Sequence, residues 1–193
     1  VETGNLNIAT EGEFAAPPYF AGRFSDGPVW VEVLAESLGL APPAPSLMGG
    51  MNYAWAGAES GDGLSFNNTP NVGLQIDSFL DDHGHLTGDE LVVVAVGAND
   101  LLWTAPHSPS QIARNIADQI ARLAEAGGRV FLVPTISLYS DAPLLPGPSQ
   151  MVDALAKNVD KLLDTELAHL EAIYEIETIR IDVGQLIGDI LAD

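Results

Sequence analysis

The run Leu91-Val92-Val93-Val94-Ala95-Val96 constrains this chain more than any other six residues. It has no polar alternation, it is rich in β-branched side chains, and it ends at once in Gly97. An uninterrupted apolar run of that length predicts a strand covered on both faces, as in parallel sheets whose crossovers are helices. Two further runs fit the same scheme. Arg129 to Val133 is closed by Pro134, and Thr178 to Val183 is a less pure third. Met51 to Ala56 reads as a short strand followed by a Gly/Ser/Asn loop from Gly57 to Asn71.

Helical signals fall between these runs. Pro28 to Leu38 spaces Trp30, Val33, Leu34 and Leu38 along one face, with Pro28 suited to a first turn. Ser108-Pro109-Ser110-Gln111 has the form of a capping box with proline at the first helical position. Behind it Ile112, Ile116, Ile120 and Leu123 form one stripe, and Gly127-Gly128 stops it. Ser149 to about Tyr174 predicts the longest helix, with Val152, Leu155, Val159, Leu162, Leu170 and Ile173 at helical spacing. All three stripes are read as core. Alternating strands and helices predict an α/β fold with a parallel sheet and helices on both faces. Chemistry in such folds gathers at the carboxyl ends of the strands. Attention therefore goes to Gly57, to Gly97 through Asp100, and to the loop after Pro134.

The 193 residues are 47% hydrophobic, which fits one domain with a sizeable core. No residue is cysteine, so disulfides, thiolate zinc sites and cysteine nucleophiles are excluded. The 27 acidic residues against 7 basic ones give a formal charge of −20. Such a surface repels phosphate backbones and anionic lipid, which argues against nucleic acid as a partner. The longest apolar run is too short to span a bilayer, so no transmembrane segment is expected.

Gly97-Ala98-Asn99-Asp100 admits two readings. Asn and Asp are ordinary turn formers. Alternatively, the Asn99 amide is a neutral donor for developing negative charge, a role worth roughly a hundred- to a thousandfold in rate. Asn52-Tyr53-Ala54-Trp55-Ala56-Gly57-Ala58 is similarly double. Gly57 either supplies a turn that needs a positive φ or offers an N–H, unhindered by a Cβ, to a substrate oxygen.

These segments, taken in order, resemble a family. Val1-Glu2-Thr3-Gly4-Asn5-Leu6 looks like the stretch behind the serine of GDSL motifs in SGNH hydrolases. Pro17-Pro18-Tyr19-Phe20 and Gly22-Arg23-Phe24-Ser25-Asp26-Gly27-Pro28-Val29-Trp30 are similar to a segment common there. Asn52 through Gly57 resembles the second block of that family, and Gly97 through Asp100 matches the third. The likeness extends over essentially the whole chain.

The resemblance implies a flavodoxin-like SGNH three-layer sandwich and a serine esterase, lipase or acylhydrolase working through an acyl-enzyme, without a cofactor or metal. The oxyanion would be held by the serine N–H, the Gly57 N–H and the Asn99 side chain. Carried over residue by residue, only Gly57 and Asn99 are present. The serine falls just upstream of Val1, and the closing Asp-x-x-His falls beyond Asp193. Val1 and Glu2 replace the usual Ser-Asp, and Ala56 replaces a glycine of the second block in a way that would tighten the cleft. The expectation is therefore a single domain, 1–193, incomplete at both ends and inactive by itself. With the first strand of the sheet missing, the strands at Met51 and Leu91 would lie about 10 Å apart with unpaired inner edges.

Asp82-His83-Gly84-His85 has the Asp-x-x-His spacing but stands before the third block, at the amino ends of the strands, and is read neither as catalytic nor as a metal site. Glu166, His169 and His107 are read as solvated. Ser25, Ser60, Ser65 and Ser137 lack a nucleophile elbow. There is no phosphate-binding glycine loop, which weighs against a nucleotide binder. The alternative to an enzyme acting on a small-molecule, lipid or sugar ester is a catalytically dead binding or adhesion domain on the same fold. Acidity, the lack of cysteine and the family's frequent export lead to an expectation of a secreted or periplasmic location.

Overall fold

The computed structural model describes residues 1–102, 107–136 and 149–192. The chain divides into two compact units, Val1–Ala58 with Asp62–Phe79, and Glu59–Gly61 with Leu80–Asp193.

The second unit holds the sheet. Strands β1 (Leu91–Val93), β2 (Val130–Leu132) and β3 (Glu177–Ile179) are parallel and lie in the order β1-β2-β3. Leu91 stands opposite Val130, and Val130 opposite Glu177. The ladder continues past the strands through Val94 N–H to Leu132 O at 3.0 Å and Val133 N–H to Ile179 O at 2.9 Å. Its helices are α4 (Ala98–Leu102), α5 (Pro109–Glu125), α6 (Ser149–Tyr174) and α7 (Val183–Ala192). The strand order steps one way only. The crossover from β1 to β2 carries α5 and that from β2 to β3 carries α6; these helices pack against each other, and the three parallel strands flanked by helices make an α/β fold.

Helix α5 follows its sequence signals closely. Ser108 is the N-cap, accepting from the Gln111 N–H at 3.2 Å, and Pro109 begins the helix. Ile112, Ile116, Ile120 and Leu123 are all buried. Phe131 of β2 and Val159, Leu163 and Leu167 of α6 are buried in the same unit, and α5 packs against α6. Each such side chain contributes on the order of 1.5–3 kcal/mol. The helix ends in a Schellman motif: Gly127 N–H reaches Ala124 O at 3.0 Å and Gly128 N–H reaches Leu123 O at 2.9 Å, with Gly127 at φ 111°.

Several expectations are displaced. The face of α6 that is fully buried carries Ala156, Val159, Leu163 and Leu167, so its register is rotated from the expected stripe and Ile173 is exposed. Leu91 is exposed, and β1 is covered less completely than an all-apolar run predicts. The third run forms strand only at Glu177–Ile179, and from Val183 the chain is helical.

In the first unit, α1 (Asn5–Ala9), α2 (Trp30–Ser37), a 3-10 turn at Ser46–Met48 and most of α3 (Val72–His83) are joined by long loops. Helix α2 starts two residues later than Pro28. It buries Val31 and Glu32, whereas Trp30, Val33 and Leu38 are exposed. Met51–Ala56 is not a strand. It makes one parallel bridge, Asn52 with Pro45, because its carbonyls are taken by a side chain: Asn5 Nδ2 donates to Asn52 O at 2.8 Å and to Ala54 O at 3.0 Å.

Candidate active site

Around Gly57 the first unit is organised by three asparagines. Asn5 is fully buried, and its Oδ1 accepts from the Leu47 N–H at 3.2 Å. Asn52 donates from Nδ2 to Val1 O at 2.9 Å and accepts at Oδ1 from the Ala54 N–H at 3.0 Å. Together these two amides fasten the opening residues to the 44–54 segment. The opening itself is capped by Glu2, whose carboxylate accepts from Gly4 N–H at 2.8 Å and Leu6 N–H at 2.9 Å. Burial pushes the Glu2 carboxyl above its ordinary range, an effect only partly offset by those two donors.

Gly57 is the third residue of a turn closed by Ala58 N–H to Trp55 O at 3.3 Å, and its φ is 83°. A Cβ there would be strained and would stand 2.5 Å from Asn67 Nδ2. Asn67 is itself held in place, since its Oδ1 accepts from Ser65 Oγ and, at 3.1 Å, from Thr69 Oγ1. Among the described residues the Gly57 N–H meets no acceptor. Glycine is therefore required by the backbone at this position, and its N–H is left for another use.

Around Asn99 the second unit is organised by a carboxylate. Gly97, four residues after the end of β1, takes φ 115°, and a Cβ there would collide with Ile136. This turn opens α4, which contains Asn99 and Asp100. Asp100 is fully buried. Its two oxygens accept from the Ser60 N–H at 3.1 and 3.0 Å, and Oδ1 also accepts from Ser60 Oγ at 2.5 Å. Ser60 Oγ in turn accepts from Asn115 Nδ2 at 3.2 Å, and Asn115 Oδ1 accepts from Gln111 Nε2 at 2.7 Å. Each hydrogen in this series points toward the carboxylate.

Ser60 is thus a fully buried residue, closed off from solvent, whose hydroxyl donates to Asp100 and accepts from Asn115. Ser65 is committed to the Asn67 turn, and Ser25 accepts from the Gly27 N–H at 3.3 Å. Ser137 lies outside the described residues, as does most of the loop after Pro134. His83 closes α3, and Gly84 follows at φ 77°. His107 is half in solvent with Nε2 4.0 Å from Glu59 Oε2. His169 is exposed and Glu166 half-buried on α6.

Two fasteners escaped the sequence reading. Arg23 holds Glu32 through Nε to Oε2 at 2.9 Å and Nη2 to Oε1 at 2.6 Å, and Glu32 Oε2 also accepts from the Val29 N–H at 2.9 Å. The guanidinium keeps the Glu32 carboxyl below its usual range. Arg180 donates to Val133 O at 2.8 Å and to Asp160 Oδ1 at 2.7 Å, and the Asp160 carboxylate receives the Ile136 N–H as well. Burial nevertheless pushes the Asp160 carboxyl above its ordinary range.

Comparison with known proteins places these segments in a family. The GDSL-like lipase/acylhydrolase family matches residues 2–181, so the chain belongs to that family. It is 29% identical over 142 residues to a phosphatidylcholine-sterol acyltransferase of Aeromonas hydrophila, covering 68% of this chain and 40% of the relative. It is 28% identical over 148 residues to a thermolabile hemolysin of Vibrio parahaemolyticus, covering 74% of this chain and 32% of the relative. The chain thus spans well under half the length of these two proteins. A carbohydrate acetylesterase from Sinorhizobium meliloti matches with 18% identity and a TM-score of 0.39, covering 64% of this chain and 59% of that one.

Proposed function

We propose that this member of the GDSL-like lipase/acylhydrolase family contributes the oxyanion-binding part of a carboxylic ester hydrolase, with Gly57 and Asn99 as the donors. The observation that carries the reading is Gly57. Its φ of 83° and the amide of Asn67 against it exclude a side chain, while its N–H meets no acceptor among the described residues. A backbone N–H held in that way can stabilise an acyl oxygen as it turns negative, at no cost of reorganisation during the reaction. Asn99 supports the reading from the third motif, since it follows the strand run directly and sits on α4.

In this mechanism a serine attacks the ester carbonyl, and a histidine takes its proton and returns it to the leaving alcohol. We assign neither role to a described residue of this chain. The chemistry uses no cofactor, and the substrate class is a small-molecule, lipid or sugar ester. The test is hydrolysis of p-nitrophenyl acyl esters by the full-length polypeptide and by its Asn99→Ala variant. Asn99→Ala is expected to lower kcat roughly 10²- to 10³-fold. An unchanged kcat removes Asn99 from the mechanism, and a full-length protein with no esterase activity favours a binding domain on the same fold.

A further inference from the structure

Asp100 is the most deeply buried carboxylate among the described residues, at 0% exposure, and its side-chain partner there is Ser60, not a cation. A buried charge is tolerated only where hydrogen bonds replace its hydration. Here one residue supplies them, because Ser60 gives both its N–H and its hydroxyl. The hydroxyl is aligned for donation because Asn115 occupies it as an acceptor at 3.2 Å, and Asn115 is fixed by Gln111 one turn earlier on α5. Hydrogen bonds arranged head to tail strengthen one another. The series therefore runs from the first turns of α5, through Ser60, to the residue immediately after Asn99.

We propose that Asp100 is a positioning residue that acts through Asn99: the Ser60–Asp100 clamp fixes the first turn of α4 so that the Asn99 amide keeps one orientation. The inference rests on the oxyanion reading of Asn99. Asn99 and Asp100 are adjacent in the first turn of α4. Anchoring Asp100 through a carboxylate with three donated contacts restricts the backbone that carries the Asn99 side chain. A donor misplaced by about 1 Å loses about a hundredfold in rate. Ser60 also stands only three positions after Gly57, so the segment that carries the other proposed donor is continuous with the clamped one.

The test is a double-mutant cycle on ester hydrolysis by the full-length polypeptide. Asp100→Asn turns an amide donor toward the Ser60 N–H, and Ser60→Ala removes the hydroxyl while keeping that N–H. Each is expected to lower kcat tenfold or more and to leave KM within about twofold. Combined with Asn99→Ala, neither should lower kcat further, because the group through which Asp100 acts has gone. Losses that multiply in the double variants overturn the positioning role and leave the oxyanion reading standing. If Asn99→Ala alone leaves kcat unchanged, the oxyanion reading fails first. Should Asp100→Asn not fold, the Ser60→Ala cycle decides the matter alone. An undiminished kcat in Ser60→Ala also overturns the proposal.

Discussion

Removing the guanidinium of Arg23 tests whether the loop before α2 is held by one ion pair. In Arg23→Ala the Glu32 carboxylate, with 8% side-chain exposure, would keep only the Val29 N–H as a donor. Breaking a buried pair by deleting one partner costs roughly 3–5 kcal/mol. The guanidinium is 15% exposed, so water screens part of the interaction and the lower end applies. The loss of the Ala21 O contact at 2.6 Å and of the contact with the Phe20 ring at 5.6 Å adds a smaller amount. The expected destabilisation is about 3 kcal/mol at pH 7. Its pH dependence has a definite sign. Arg23 holds the Glu32 carboxyl below its unfolded value, so the stabilisation is complete above the ordinary carboxylate range. It disappears as pH falls through the depressed folded-state value. Urea unfolding followed by far-ultraviolet circular dichroism at pH 7 and at pH 3 should show a large gap between the two proteins that closes on acidification. A gap under about 1 kcal/mol at pH 7, or one of equal size at both pH values, refutes the account.

Gly127→Ala should destabilise by at least about 2 kcal/mol, since the added Cβ collides with Leu86 O and φ is 111°; thermal unfolding in which the variant matches the parent would contradict this. Asp160 has the opposite pH signature to Glu32. Its carboxyl is raised by burial, so its contribution is full below the unfolded value and declines as pH rises through the folded one. Asp160→Asn should flatten that decline in the stability–pH curve, and an unaltered slope would exclude Asp160 as its source.

What the sequence revealed follows the range of the forces involved. The α5 stripe, its Ser108 cap and its Gly127-Gly128 stop were readable because every partner lies within a few residues. Met51–Ala56 was read as a strand because its composition favours one. Its carbonyls go instead to the side chain of Asn5, 47 and 49 positions away, and no local pattern shows that. The buried face of α2 was misplaced for a related reason. Periodicity assigns Trp30, Val33 and Leu38 inward, but the buried residues include a glutamate that Arg23 makes acceptable there. In α6 apolar residues occupy more than one face, so the spacing alone did not select the register. At the candidate site, Gly57 and Asn99 stood out by motif, and the positive φ of Gly57 was anticipated. The burial of Asp100 was not, because its partner Ser60 is 40 positions away.

The inward use of arginine has an electrostatic consequence. Arg23 and Arg180 spend their hydrogens on a carboxylate and on carbonyl oxygens of the chain itself. They come from a total of only 7 cationic residues, against 27 acidic ones. These two cations act as internal pins, and with so large an acidic excess the solvent sees a shell that is mostly anionic and gathers mobile counter-ions around it. Ordinary salt shortens the reach of that outer repulsion to about 10 Å or less, while the pins, shielded by protein, feel little of it.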